Sequence, residues 1–288
     1  MSKPVYASSC VFGRVDARQA LQGAVDYGIE YLELSSGLKP TPGYRDIIKE
    51  YSGRVNVMVH NYFPAPEDEF VLNLASLNDA IHNQSVAHCE NAITLCSELN
   101  IPVYSVHFGF CLEATPDRLG EDLSKMPRYD WQTCEETFLR TVNHLCHFAA
   151  SKGVKLLLEN NVAIAENLVN GKNELLLGVT SEEIDRMLSR FDEGPEVGLL
   201  LDTAHLKVSA HSLGFDKDAA VEDLKNWIDV VHHSDNDGLK DNNGKLPADY
   251  WFNRHMRTFA DAYHVLEVKN LSNVEAEAQL THLKNALS

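Results

Sequence analysis

The chain has 288 residues, 44% hydrophobic and 23% charged, the balance of a globular protein long enough to bury a large core. Its formal net charge of −17 speaks against polyanion partners, because nucleic-acid binding draws most of its free energy from Lys and Arg on phosphate. No apolar run approaches the ~20 residues that span a bilayer, and Met1–Cys10 lacks the basic start of a secretion signal, so a cytoplasmic protein without membrane partners is expected.

In chain order, a short apolar run at Pro4–Cys10 precedes an amphipathic stretch, Asp16–Tyr27, which opens on an N-cap candidate and stops at Gly28. The runs Glu30–Ser35 and Val55–Tyr62 follow, then Leu77–Leu99 with apolar residues at helical spacing. Val103–Phe110 leads through a long loop, Cys111–Asp130, into Trp131–Ser151, which ends at Gly153 with the left-handed stop that glycine permits. Val154–Asn160 is followed by Thr180–Arg190, whose Thr-Ser-Glu-Glu start places acids in the first turn. Val197–Asp202 comes before Asp216–Trp227. Ile228–His233 comes before a second long loop, Asp235–Asp249, with a seventh helix expected around Ala248–Phe259. Ala262–Val268 and Ser272–Leu287 close the series.

The apolar runs are too short for helices and continuously apolar, as strands covered on both faces are. Their alternation with helical stretches, without a break in composition, predicts one parallel (β/α)₈ barrel forming a single domain over residues 1–288. A doubly wound open sheet is the second choice, but no GxGxxG follows the first strand. The six cysteines (Cys10, Cys89, Cys96, Cys111, Cys134, Cys146) form no CxxC pair and read as reduced, mostly buried thiols.

A charged residue in a strand buried on both sides is costly unless paired or bound to a metal. The points where the runs turn polar are therefore informative. Strands three and four end at His60-Asn61 and His107-Phe108-Gly109. Strand five ends at Glu159-Asn160-Asn161 and strand six at Asp202-Thr203-Ala204-His205. Strand seven ends at His232-His233-Ser234-Asp235, and strand eight carries His264 and Glu267. Singly, each would read as a helix cap, an ion-pair partner or a core histidine. Only one of His232 and His233 can face the interior, since neighbours in a strand point oppositely; His264 falls on the face opposite Glu267 and reads as structural. If the barrel closes, Glu159, Asp202, His232 and Glu267 converge, and three carboxylates at one spot call for a cation. Oxygen and imidazole donors suit Mn²⁺ or Mg²⁺ best, with Zn²⁺, Co²⁺ or Fe²⁺ as alternatives.

The strings Leu-Leu-Leu-Glu-Asn (156–160), Leu-Asp-Thr-Ala-His (201–205), Val-His-His-Ser-Asp-Asn-Asp-Gly (231–238) and Val-Leu-Glu-Val-Lys (265–269) resemble the xylose-isomerase-like TIM barrel superfamily, over nearly the whole chain in strand order. That group includes sugar and sugar-phosphate isomerases and epimerases, inosose dehydratases and endonucleases of the endonuclease IV type. The resemblance to its ketose epimerases implies a metal held by Glu159, Asp202, His232 and Glu267, with His205 touching substrate. The resemblance to its endonucleases would place His60, His107, Glu159, Asp202, His205, His232 and Glu267 on ligand positions. That branch also needs an Asp-x-His after strand seven, and this loop has no histidine before His255.

The resulting expectation is a divalent-metal-dependent isomerase or epimerase of a sugar or sugar phosphate, working through an enediolate with Glu159 and Glu267 moving the protons. His60, His107 and His205 are expected to bind substrate. Trp251, Phe108 and Phe63 are candidates for an apolar wall or for core packing; Lys207, Arg254 and Lys269 are candidates for phosphate contact or for solvated surface. A dehydratase, an endonuclease-like phosphodiesterase and a non-catalytic sugar-binding barrel are the alternatives. A homo-oligomer is compatible with all of them.

Overall fold

The computed structural model describes residues 3–118, 122–191 and 196–288. Eight parallel strands close into a barrel in sequence order: β1 (Val5–Ser8), β2 (Tyr31–Leu34), β3 (Asn56–His60), β4 (Val103–His107), β5 (Lys155–Glu159), β6 (Val197–Asp202), β7 (Ile228–His233) and β8 (Tyr263–Leu266). β8 returns to pair with β1. The strand interiors are as apolar as the two-sided burial demands: Leu156, Leu157 and Leu158 of β5 and Leu199, Leu200 and Leu201 of β6 are fully buried. The expected barrel is the observed one.

Among the described residues, eight α-helices surround it: α1 (Ala17–Tyr27), α2 (Tyr44–Tyr51), α3 (Asp79–Glu98), α4 (Trp131–Ser151), α5 (Ser181–Leu188), α6 (Thr203–Leu213), α7 (Lys217–Leu224) and α8 (Asn273–Leu287). Their starts are written in the sequence. Asp16, Asn78, Asp130, Thr180, Asp216 and Ser272 each cap a helix by accepting from backbone N–H groups of the first turn.

Three details differ from expectation. No helical stretch is expected between β2 and β3, where α2 stands. β6 runs straight into α6 without a loop, so the unit between β6 and β7 holds two helices, α6 and α7. The segment read as a seventh helix, Ala248–Phe259, forms two 3₁₀ turns instead, Trp251–Arg254 and Met256–Phe259. Pro247 precedes it, and its aromatic residues, weak helix formers, pack on one another and on the barrel: Phe252 is fully buried, stacked on Phe259 and against His233.

Two of the loops at the C-terminal ends of the strands are built, not merely connecting. The β4 and β5 loops pair at Phe110 with Leu176 and share a small apolar cluster that includes Leu112, Leu123, Leu175 and Val179. In the β7 loop, Asp235 and Gly244 bridge each other through two backbone hydrogen bonds of 2.9 Å. That bridge closes the segment carrying Asp241.

Candidate metal centre

The C-terminal ends of β5, β6 and β7 and the residue following β8 deliver Glu159, Asp202, His232 and Glu267 to one place. One donor atom from each lies within 4.8 Å of the others. Glu159, Asp202 and His232 are at most 1% exposed, while the Glu267 side chain keeps 16%. Two overlapping groups share these residues: His60, His107 and Glu159, and Glu33, His60 and His232.

The hydrogen bonds fix most of the geometry. His60 Nε2 lies 3.1 Å and His107 Nε2 3.2 Å from Glu159 Oε2. These are close contacts rather than hydrogen bonds, since Glu159 Oε2 is buried with no hydrogen-bond partner; His60 Nδ1 is hydrogen-bonded to Ser105 Oγ at 2.8 Å. Nε2 of His232 is 3.0 Å from Glu33 Oε2, and its Nδ1 is 3.3 Å from Glu267 Oε2 without hydrogen-bond geometry. Asp202 divides its oxygens. Oδ1 accepts from the His205 N–H at 2.7 Å, capping α6, and Oδ2 is buried without a partner. The cap and the candidate ligand are thus the same residue. His205 donates from Nδ1 to the Asn160 carbonyl at 2.9 Å, and its Nε2 is 3.4 Å from Asp241 Oδ2.

Electrostatics follow from this packing. Burial pushes the Asp202 carboxyl well above its ordinary range, and the charges of Glu267, Asp241 and Glu159 push the same way, against the pull of His205. Burial would also raise Glu159, but His107, His60 and His232 outweigh it and hold it below the usual carboxylate range. For Glu267, burial is likewise overcome, chiefly by His232, leaving it at about 2. Burial lowers His107 to about 4 despite Glu159. His232 and His205 are raised well above theirs, because Glu33 and Glu267 around the first and Asp202 and Asp241 around the second overcome the burial penalty.

The donor set fits a divalent cation. Asp202 Oδ2 and His232 Nδ1 are buried polar atoms with no hydrogen bond, each in the same four-residue group with two more carboxylates. Unpartnered buried polar atoms cost roughly 1–3 kcal/mol each, and a cation at this point satisfies both.

The other expected residues separate. His107 lines a cavity beside the centre, whereas His60 is 2% exposed and stands behind Glu159. His233 points out of the barrel to His264, as alternation requires, and His264 donates to the Phe259 carbonyl. Phe108 and Phe63 are core residues, stacked on Phe138 and set edge-on to Tyr44. Trp251 packs on Tyr250 and His255, away from the cavity. Lys207 is tied to Asp235 at 2.6 Å, Arg254 lies 3.8 Å from Asp218, and Lys269 is exposed. Two residues escaped the sequence reading. Glu33 had a signal, a carboxylate between Leu32 and Leu34 in a strand buried on both faces. Asp241 sits in a polar loop where nothing distinguished it.

With this geometry in view, the chain belongs to the xylose isomerase-like TIM barrel family, whose model matches residues 21–282. A probable endonuclease 4 from Sulfurihydrogenibium sp. (strain YO3AOP1) is 26% identical over 148 residues, 51% of this chain and 44% of that relative. The match therefore spans less than half of the relative's length. Among solved structures, a D-tagatose 3-epimerase-like protein superposes with a TM-score of 0.74 at 20% identity, covering 99% of this chain and 98% of the other. A D-psicose 3-epimerase with D-tagatose from Clostridium cellulolyticum H10 gives 0.70 at 14% identity, covering 99% and 100%. At these identities the likeness establishes the fold.

Proposed function

We propose that the protein is a divalent-metal-dependent epimerase or isomerase of a keto sugar. The observation that carries this reading is the four-residue group Glu159, Asp202, His232 and Glu267, with Asp202 Oδ2 and His232 Nδ1 left without partners inside it. Bound there, Mn²⁺ or Mg²⁺ would act as a Lewis acid on a carbonyl and acidify the adjacent C–H.

The chain's own groups supply the rest. Glu267 and Glu159 are both held as carboxylates, so either can accept a proton from carbon and the other can return it. Exclusion of water raises the basicity of such carboxylates relative to solution. His60 and His107 face Glu159 Oε2 at 3.1 and 3.2 Å. His107, lowered to about 4 by burial, stays neutral near pH 7 and lines the cavity, where it can meet a sugar hydroxyl. His205, braced between Asn160 and Asp241, orients another hydroxyl. A dehydratase would use the same first proton transfer and then lose a β-hydroxyl.

Phosphodiester hydrolysis is the second reading, supported by the His60–His107–Glu159 group and the likeness to the probable endonuclease 4. Against it stand the charge of −17 and the Asp241-Asn242-Asn243 sequence beside His205, which carries no histidine. The test is solvent deuterium incorporation into D-tagatose with Mn²⁺ present. Wild-type protein should exchange, and Glu159→Gln and Glu267→Gln should each abolish exchange. Exchange retained in both variants would remove the two glutamates as the proton-transfer pair.

A further inference from the structure

Resting on the sugar reading above, we infer that the substrate is a neutral keto sugar bearing an apolar O-alkyl or O-aryl substituent at the end remote from the reacting carbon. The inference comes from the cavity that adjoins the centre. It holds about 410 Å³ and is lined by His107, whose Nε2 stands 3.2 Å from Glu159 Oε2, so it adjoins the centre through that residue. Pockets of roughly 300–1,000 Å³ take ligands the size of drug molecules, which leaves room here for a group beyond one sugar ring.

The chemistry of the walls names the group. Leu38, Phe70, Leu72 and Phe110, from the loops after β2, β3 and β4, line the cavity together with Pro40 and Pro66. Such walls reward apolar surface, and the polar side chains among them are paired with the protein: Asn61 donates to Ser36 Oγ and the Tyr62 hydroxyl accepts from the Phe70 N–H. Among the described residues the lining carries one cation and one carboxylate, Arg14 and Glu69, and they pair with each other at 2.7 Å. Among these lining residues a phosphate would find one guanidinium, Arg14, and that one is already paired with Glu69. Nor do Lys207, Arg254 or Lys269 line this cavity; Lys207 is committed to Asp235 and the Asn236 carbonyl.

The experiment uses three matched probes with the Mn²⁺-loaded protein: D-tagatose, its terminal phosphate ester and its terminal benzyl ether. Dissociation constants come from calorimetry, and deuterium exchange is read on the same samples. The benzyl ether should bind at least ~10-fold tighter than D-tagatose, and the phosphate more weakly than either. Tightest binding by the phosphate, equal binding by all three, or binding by none overturns the inference. Ser36→Arg adds a cation at an exposed position on the cavity wall. It should improve phosphate binding ~10-fold and reduce the benzyl advantage; no change in either would place the substituent elsewhere and contradict the inference. The two readings fail separately. Equal affinities with exchange intact sink the cavity assignment and spare the proton transfer. A benzyl preference without exchange does the reverse.

Discussion

Glu33 Oε2 lies 3.0 Å from Nε2 of His232, inside a barrel where both side chains are completely buried. The carboxylate fixes which nitrogen carries the proton on that side and leaves Nδ1 turned toward Glu267 and Glu159. A histidine prepared in this way is oriented before any ion arrives. Glu33→Gln should therefore lower Mn²⁺ affinity by about 10–100-fold while the barrel stays folded, as read by calorimetry alongside circular dichroism. Unchanged affinity would mean that Glu33 serves only to neutralise His232.

Across β7, His233 and His264 form a second buried pair, 2.8 Å apart, outside the barrel wall. Burial depresses the His264 pKa, so the folded protein keeps this ring neutral. The unfolded chain binds a proton at an ordinary value near 6.5. The stability due to neutral His264 is thus present above about pH 6.5 and is lost as pH falls toward its folded value. The stability gap between wild type and His264→Gln, measured by urea unfolding, should shrink from pH 7 to pH 5, by up to ~1.4 kcal/mol per unit below 6.5. A gap independent of pH would show that the ring is not held neutral.

Gly109 follows β4 two residues after His107. A Cβ there would run into Ala75, with the Ala75 backbone nitrogen 2.9 Å away, and backbone cannot step aside as a side-chain tip can. Gly109→Ala should destabilise by about 1–3 kcal/mol, since overpacking at a rigid contact has no cheap relief. Urea unfolding gives the value; a change under ~0.5 kcal/mol would mean that the β3 loop moves freely.

The barrel was legible in the sequence because a parallel strand covered on both faces must be apolar throughout, and each such run turned polar at its C-terminal end. Glu159, Asp202, His232 and Glu267 were readable for that reason. The opposite facing of His232 and His233 followed from strand alternation alone. Other features were hidden by local context. α2, eight residues with charges at both ends, is too short for a periodic signal. α6 begins at Thr203, directly after the strand's last residue, so no loop announced it. The aromatic stretch at Ala248–Phe259 had helical length but folds as turns, because its packing against His233 and α8 outweighs weak propensity. Asp241 is placed by the Asp235–Gly244 bridge, a contact invisible in the order of residues.

Asp202 gives the most direct test of the metal centre, because its two oxygens separate structure from binding. Asp202→Ser keeps an N-cap hydroxyl for α6 and removes the carboxylate from the four-residue group. Equilibrium dialysis against Mn²⁺, with metal counted by mass spectrometry, should find about one ion per chain in the wild type, as one four-donor set holds, and none retained by the folded Asp202→Ser variant. A wild-type protein that binds no divalent ion, or a variant that binds it as tightly as wild type, would contradict the assignment of Glu159, Asp202, His232 and Glu267 as a metal site.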